Sequence, residues 1–502
     1  MSQMETIYRR PADSGRTDLL QSKMGVLVVF AAVTMGTFLV ISMLTTLKYG
    51  IWNALFIVGG VLGFLLLALA VPQVMENARY LWPKLNKWHL IWYGVYVSSL
   101  VFRIRALAEF REQPVDGWAL LRIGPEGLIG AYLFFLLATR RLPWVESMFT
   151  GIPKVLAFYT AFCAASTIWS VFPPWTAYKS LEYTMDIAVI SAILCVVTDA
   201  EKYKTLLDFT WSVYAIEAFW CWCQIGIWPS EALDDGRLKG VWPLTGYNAL
   251  GEYGALLCIV AICRLVPMAK FDFKRSWYLA VFAFGFATLL AANTRNTIGG
   301  LVAAIVLVLI ISRGLSGAMV IGLSSAGIVF TALGSIIKTF LKRGQSDEAF
   351  TSLSGRLAWW HYAWIFFLEH PIAGLGAYAA GKFAVMKSLN ANTGSTHSDY
   401  IELLVGTGII GTVLFCFAIL WTWWLLYKYA KDVTLKPMER QLSMECFGVM
   451  TILVVHSFFN VELIWHAPLF YFVVLGYAEM IRRRKKALAA AQLRSSYSTT
   501  LA

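Results

Sequence analysis

Charged residues are scarce in this sequence. Only 14% of its 502 residues are Asp, Glu, Lys or Arg, whereas 58% are hydrophobic. Soluble domains usually carry about 25% charged residues, so the composition excludes an ordinary soluble protein and indicates a polytopic membrane protein. The net charge of +12 is typical of basic cytoplasmic loops, and we expect no binding of nucleic acid.

Motifs for metals and redox chemistry are also missing. The eight cysteines lie in or beside apolar runs, and no pair has the Cys-x-x-Cys spacing of a metal or redox site. Asp234 and Asp235 are adjacent, which is the wrong spacing for an Asp-x-Asp metal signature. The sequence therefore predicts no disulfide, no metal site and no cofactor.

No cleavable signal peptide is expected, because residues 1–23 are polar and the first apolar run is long enough to span a membrane. The sequence predicts an all-α fold, a polytopic membrane helix bundle of about 12–14 transmembrane helices. The apolar runs lie near residues 25–47, 51–74, 88–104, 118–138, 153–171, 177–198, 204–228, 247–265, 277–293, 297–312, 315–338, 399–427, 443–460 and 465–481.

The positions of Lys and Arg predict the orientation of the bundle. They cluster in both terminal tails and in the loops after the second, eighth and twelfth runs, and such clusters mark the cytoplasmic side. Both termini are therefore predicted to be cytoplasmic. One loop disagrees, because Arg103, Arg105 and Arg111 fall on the outer side. The predicted segments are a cytoplasmic tail (1–23), transmembrane helices 1–11 (24–340), a long outer loop (341–398), helices 12–14 (399–481) and a basic cytoplasmic tail (482–502).

The long outer loop contains one predicted amphipathic helix, from Ser352 to Pro371. Ser354 is a suitable N-cap and Pro371 a suitable stop. One side of this helix is expected to lie in the membrane interface. The residues with helical spacing on that side are Leu357, Trp360, His361, Trp364 and Phe367.

Four outer segments each carry a cationic or titratable residue at a helix end: Arg237, Arg295, Arg356 and His397. A single arginine of this kind is most often an interfacial side chain that reaches towards water. Arg295 fits that explanation least, because it lies in a short predicted turn, Asn293–Asn296, at the start of a helix. Its guanidinium and the unpaired backbone amides there can bind the same anion.

His397 is predicted to be the first residue of a helix, because Thr396 and Asp399 have the spacing of a capping box. A helix N-terminus disfavours a charged imidazole, and the neutral imidazole can accept a proton as a general base. The alternative is an interfacial histidine that only forms hydrogen bonds. Asp399 and Glu402 complement the helix dipole, and either could orient His397.

Three acidic residues lie within predicted spans: Asp186, Glu217 and Glu252. A carboxylate near the bilayer centre costs about 2.5–3.5 kcal/mol, so such residues are functional candidates. Glu252 follows Asn248 by one helical turn, near the outer mouth, and both are assigned to the same site as Arg237. Asp186 and Glu217 lie deeper and could form a proton path, which keeps a transporter open as a hypothesis.

A set of arginines beside a neutral base suits glycosyl transfer. Arginines stabilise the charge that develops on a leaving diphosphate, and a base removes the proton of the acceptor hydroxyl that attacks the anomeric carbon. Diphosphate is already a good leaving group, so this reaction needs no metal. Two other classes stay open: a polysaccharide flippase or proton-coupled transporter, and a non-catalytic assembly scaffold.

Several stretches resemble the bacterial O-antigen ligase and O-antigen (exopolysaccharide) polymerase family of integral membrane glycosyltransferases. They occur in the family's order over roughly residues 150–480, and the stretch that begins at His397 is the most specific. The matching residues are Trp169 and Ser170; Arg237, Gly240, Asn248 and Gly251; Arg295; Gly355, Arg356, His370, Pro371, Gly374 and Gly376; and His397, Ser398, Tyr400, Leu404, Gly408 and Gly411.

The resemblance implies a metal-independent, inverting glycosyltransferase with its active site at the periplasmic face of the bacterial inner membrane. It would transfer an undecaprenyl-diphosphate-linked saccharide to lipid A–core (ligation) or to a lipid-linked glycan (polymerisation); protein O-glycosylation uses the same chemistry. The resemblance also implies that His397 is the base and that Arg237 and Arg295 bind the diphosphate. The substrate-binding residues expected around them are Arg356, Asn248, Glu252 and Asp399.

Overall fold

The computed structural model describes residues 71–100, 117–265, 273–313, 355–389, 391, 394–464 and 469–500. Within these ranges the chain is helical apart from short loops and one small hairpin. Five of the described helices are long and apolar enough to cross a membrane, and each coincides with a predicted apolar run. The all-α, polytopic fold predicted from the sequence is therefore confirmed.

The helices and strands are numbered along the described residues. The helices are α1 (Val71–Leu81), α2 (Lys87–Leu100), α3 (Gly117–Ala138), α4 (Trp144–Met148), α5 (Gly151–Ala165), α6 (Pro173–Val196), α7 (Ala200–Ile227), α8 (Pro229–Ala232), α9 (Tyr247–Leu265), α10 (Phe273–Ala292), α11 (Arg295–Arg313), α12 (Arg356–Glu369), α13 (Asp399–Lys431), α14 (Pro437–His456) and α15 (Leu469–Thr500), and the strands are β1 (Leu233–Asp234) and β2 (Arg237–Leu238). The predicted runs near 25–47 and 315–338, most of 51–74, and Arg103, Arg105, Arg111 and Ser354 lie outside the described residues.

Helices α9 and α10 touch backbone to backbone because each has a glycine at the contact. A Cβ atom at Gly254 would lie 2.5 Å from the carbonyl oxygen of Gly285. Nearer the site, a Cβ atom at Gly251 would lie 2.0 Å from Oγ1 of Thr294, in the turn between α10 and α11. These glycines bring the start of α9 against the turn that precedes Arg295.

Helix α13 is broken at Gly408, whose backbone angles are φ 60° and ψ −160°. The chain after α12 fills the break: Leu375 N donates to Val405 O at 2.9 Å, and Ile409 N donates to Pro371 O at 2.8 Å. Backbone groups left without helical partners by the break thus find partners in the neighbouring segment. The bonds fix α12 relative to the first part of α13, which follows His397.

Helix α12 ends before Pro371, as predicted, but Gly355 occupies its N-cap position. The residues predicted to share one interfacial side do not share one environment: Phe367 is buried, whereas Leu357 and Trp364 are exposed. The reason is that the helix is apolar on both sides, so spacing alone could not show which side packs. Ala363 and Phe367 face the protein core, and the other side stays uncovered in the described chain.

The basic run at residues 482–486 continues the last helix, because α15 extends to Thr500. Polar contacts with other helices fasten the run to the bundle. Arg483 Nη1 donates to Ser147 Oγ in α4 at 2.7 Å, and Arg484 Nη1 lies 2.5 Å from Glu439 Oε1 in α14. This basic segment is therefore part of the helix packing and not only a tail beyond it.

Candidate functional site

The structure brings together the four outer residues that the sequence singled out. The positive charges of Arg237 and Arg295 both act on Arg356, and the charge of Arg356 acts on His397. These residues come from β2, α11, α12 and the segment before α13. They are far apart in the sequence, so the helix packing alone assembles this cluster.

Arg237 is presented by a tight β-hairpin. Asp235 and Gly236 both have positive φ, 51° and 70°, as a two-residue type I′ turn requires, and Asp-Gly is a preferred pair for that turn. The Arg237 Nε donates to Ala292 O at 3.1 Å, and its guanidinium lies 3.9 Å from the ring centre of Tyr247. The guanidinium is thus held between the end of α10 and the start of α9.

The loop between Arg237 and α9 is anchored by α7. Thr245 Oγ1 donates to Glu217 Oε1 at 2.7 Å, and Val241 N donates to Gln224 Oε1 at 2.6 Å. Glu217 also accepts a hydrogen bond from the Tyr96 hydroxyl. Glu217, a candidate for a proton path in the sequence, therefore holds the loop that follows Arg237.

Arg295 begins α11 after a turn of only Asn293 and Thr294, which is shorter than the sequence predicted. Asn293 has φ 47°, the left-handed conformation that asparagine tolerates better than most residues. Arg295 is partly exposed, whereas Thr294 is fully buried. The first backbone amides of α11 lie in the same helical turn as Arg295. They have no helical acceptors, so they can bind the same anion as the Arg295 guanidinium.

The arginines repel one another. Burial, followed by the charges of Arg295 and Arg237, lowers the pKa of Arg356. Burial also lowers the pKa of Arg237, and the charge of Arg295 adds to that effect. A bound anion would stabilise these neighbouring positive charges, and a diphosphate supplies two phosphate groups for bidentate guanidinium contacts.

The predicted capping box at Thr396 and Asp399 is wrong. Asp399 is the first helical residue, and Ser398 is the N-cap, with its side chain accepting a hydrogen bond from Ile401 N at 3.5 Å. His397 therefore precedes the helix and has φ 56°. The error arose because serine and threonine are both good N-caps, and only the backbone decides between Thr396 and Ser398.

Two neighbouring tryptophans of α12 hold His397 in place. The Trp359 ring stacks on the His397 ring, with centroids 5.7 Å apart and an interplanar angle of 29°. Trp360 Nε1 donates to Thr396 O at 3.0 Å, and Thr396 N donates to Glu402 Oε1 at 2.6 Å. The segment with His397 is thus clamped between α12 and α13.

Asn460 lies beside the His397 imidazole. Burial and the charge of Arg356 lower the pKa of His397, whereas the Asn460 side chain raises it. An oxygen that accepts a hydrogen bond from an imidazole has this effect. Asn460 therefore suits a role as acceptor for one ring N–H of His397, which leaves the other ring nitrogen as the basic one.

The Asn460 side chain is itself fixed from two sides. Asn248 Nδ2 donates to Asn460 Oδ1 at 3.3 Å, and Asn460 Nδ2 donates to Glu462 Oε1. These partners define which end of the Asn460 amide carries the oxygen. The two asparagines thus link α9 to His397.

His397 is held neutral by its surroundings. Burial is the largest cause, the charge of Arg356 is the second, and together they lower the pKa of His397 from 6.5 to about 4. The sequence predicts a neutral His397 because of its place at a helix N-terminus. In the structure the imidazole is neutral for other reasons, namely its burial away from water and the nearby Arg356 guanidinium.

Asp399 and Glu252 are both fully buried. The Asp399 carboxylate accepts hydrogen bonds from the backbone amides of Glu462 and Leu463, the latter at 3.0 Å. Glu252 Oε2 lies 3.0 Å from His456 Nδ1. Asp399 thus binds the segment that carries Asn460, and Glu252 binds α14, the helix that leads into that segment. Together with Glu462, Glu252 and His456 form a group that could hold a metal ion.

Sequence reasoning missed Trp359, His456, Asn460 and Glu462. It identified an outer segment after residue 460 but assigned no role to it. The available signal was modest: polar residues occur at 456–462 between two strongly apolar runs. Most of their partners lie about 40 to 210 residues away along the chain, so no local pattern could pair them.

Comparison with known proteins bears on the family. Residues 280–416 match the family model described as O-Antigen ligase. Over that part of the chain, which includes Arg295, Arg356 and His397, the match confirms the family indicated by the motifs. No curated protein matches the chain.

Proposed function

We propose that this polytopic membrane protein of the O-antigen ligase type transfers a saccharide from undecaprenyl diphosphate to an acceptor hydroxyl at the periplasmic face of the bacterial inner membrane. Both termini would lie in the cytoplasm. The observation that carries the proposal is the convergence of three arginines with a neutral, oriented histidine. A cluster of that kind pairs an anion site with a general base.

The donor diphosphate would bind between Arg237 and Arg295, with Arg356 beside them. The charges of these residues act on one another, so a dianionic group is electrostatically favoured at their centre. The backbone amides at the start of α11 would add hydrogen bonds to a phosphate oxygen. As the bond to the sugar breaks, the developing charge on the diphosphate is stabilised by the same groups.

His397 would remove the proton of the acceptor hydroxyl. The hydroxyl oxygen attacks the anomeric carbon and forms the new glycosidic bond, while the bond from that carbon to the diphosphate oxygen breaks. The proton passes to the basic ring nitrogen of His397, and the electron pair leaves with undecaprenyl diphosphate. Asn460 would accept a hydrogen bond from the other ring nitrogen and hold the imidazole in place, as an asparagine partner does for other catalytic histidines.

One displacement on the face opposite the diphosphate inverts the anomeric configuration. The arginines supply the positive charge that a metal ion would otherwise supply to the leaving group, so transfer is expected to be metal-independent at the diphosphate. Glu217 accepts hydrogen bonds from Tyr96 and Thr245. This favours a role for Glu217 in holding the loop after Arg237 over a role in a proton path. This favours the transferase over the proton-coupled transporter.

The acceptor is lipid A–core in a ligase and another lipid-linked glycan in a polymerase. The test is deletion of the gene in the source bacterium, followed by complementation and analysis of lipopolysaccharide and exopolysaccharide on gels. Loss of O-chains with intact core identifies a ligase, and single-repeat caps or missing exopolymer identify a polymerase. Unchanged glycans in the deletion strain would contradict the proposed function.

A further inference from the structure

A second group of polar side chains lies next to the proposed base, behind Asn460. Glu252 comes from α9, His456 is the last residue of α14, and Glu462 lies in the segment between α14 and α15. Each residue places one potential ligand atom within 4.8 Å of the others. Glu252 and His456 are buried, and Glu462 is partly exposed.

Two polar atoms of this group have no partner in the described part of the chain. His456 Nδ1 lies 3.0 Å from Glu252 Oε2, but the second oxygen of Glu252 and Nε2 of His456 are buried and unpaired. The Glu252 and His456 side chains are 0% and 1% exposed, so water does not reach them from the surface. A buried polar atom without a partner is costly and indicates a missing ligand.

The two carboxylates of the group also have no lysine or arginine partner in the described part of the chain. Within the described residues, neither Glu252 nor Glu462 forms an ion pair with a lysine or arginine, although other buried carboxylates do: Glu445 pairs with Arg264 and Glu182 with Lys179. Arg356 is the nearby cation, and its Nη1 donates to Phe459 O at 2.7 Å. Buried charges normally have a pair or coordinate a metal.

We propose that Glu252, His456 and Glu462 bind one divalent transition-metal cation of the Mn²⁺ or Zn²⁺ class. Two carboxylates and one imidazole are the hard and borderline donors that such ions accept.

The cation has a structural role in this arrangement. It joins α9, α14 and the segment before α15, and Glu462 also accepts the hydrogen bond from Asn460. The ion thereby stabilises the amide that orients His397, whereas the diphosphate site consists of arginines. This site could not be predicted from the sequence, because Glu252 lies about 200 residues before His456 and Glu462 and the three have no motif spacing.

Mn²⁺ binding to the purified full-length chain in lipid nanodiscs tests the proposal. The protein is first dialysed against a chelator, and bound Mn²⁺ is then measured by electron paramagnetic resonance without any glycan substrate. We expect about one tight Mn²⁺ per chain, displaced by Zn²⁺, and a Tm raised by the ion. Glu462→Gln and Glu252→Gln are each expected to weaken binding by about a hundredfold or more, because each removes a ligand.

Two controls make the result specific. Glu231→Gln removes an exposed acid on α8 and should leave Mn²⁺ binding unchanged. His397→Ala should bind Mn²⁺ normally, so loss of transfer and loss of the ion can be told apart. No stoichiometric Mn²⁺ in the wild type, or equal binding by the wild type and a Glu462→Gln protein that still unfolds cooperatively, would overturn the proposal.

Discussion

The indole of Trp359 stacks on the imidazole of His397, with ring centroids 5.7 Å apart. The contact joins the helix that begins at Arg356 to the segment that carries the proposed base. It also removes one face of the imidazole from water, and burial is the main cause of the lowered pKa of His397. Trp359 is therefore expected to act on the reaction through His397.

Replacing Trp359 should change both the rate and its pH dependence. In Trp359→Ala the imidazole gains water, so its pKa rises towards 6.5 and the acid limb of kcat/KM moves to higher pH. We expect turnover to fall by about tenfold, because the base is less well positioned. Trp359→Phe keeps an aromatic face and should restore most of the activity; a rate loss with an unmoved acid limb would assign Trp359 to packing alone.

The wild-type pH profile follows from the same shift. Only neutral His397 can accept a proton, and its pKa is lowered to about 4. Activity should therefore be retained as pH falls through 6.5 and be lost only as pH approaches about 4. Arg356 keeps its charge throughout, and a disubstituted diphosphate does not titrate near neutrality. An acid limb centred near 6.5 would show that His397 is not buried as described.

Asn460 should matter for turnover more than for donor binding. Asn460→Ala removes a hydrogen-bond partner of the imidazole, so the ring can turn or change tautomer, and its basic nitrogen no longer faces the acceptor hydroxyl consistently. We expect kcat to fall by about tenfold to a hundredfold with an unchanged donor KM. Initial-rate measurements on the purified protein check this. A raised KM with normal kcat would place Asn460 among the donor contacts.

Arg295→Lys tests the anion site. Lysine keeps the positive charge but loses the planar fork that matches two phosphate oxygens. We expect a loss of about a hundredfold in kcat/KM, since one preorganised donor to a developing anion typically has this effect. Arg440→Lys, an exposed position near the start of α14, is the matched control. Near-normal transfer by Arg295→Lys would remove Arg295 from the diphosphate site.

Much of the fold could be predicted from hydropathy, because a membrane-spanning helix must be apolar and helical along its whole length. The apolar run at 247–265 coincides with α9, and the run at 297–312 with most of α11. The break in α13 was not foreseen. Gly408 was noted as a motif residue, but its broken backbone depends on the hydrogen bonds with Pro371 and Leu375, which lie in another segment.

The candidate site was predictable only in part. Arg237, Arg295 and His397 were found because cations and histidines are conspicuous at the ends of apolar helices. Asn460 was not found, because an uncharged amide between two helices has no distinguishing pattern until its partners are known. The helix start at Asp399 was misplaced because Thr396 and Ser398 are equally suitable caps in sequence.

The central claim is that His397 removes the acceptor proton, and its most direct test separates binding from chemistry. Donor affinity and turnover should be measured on wild type and His397→Ala at equal membrane levels. We expect the affinity for the undecaprenyl-diphosphate-linked donor to stay nearly the same, because the arginines are intact, and turnover to fall by about 10²–10⁴-fold. Wild-type turnover by His397→Ala would contradict the account and leave His397 as an interfacial residue.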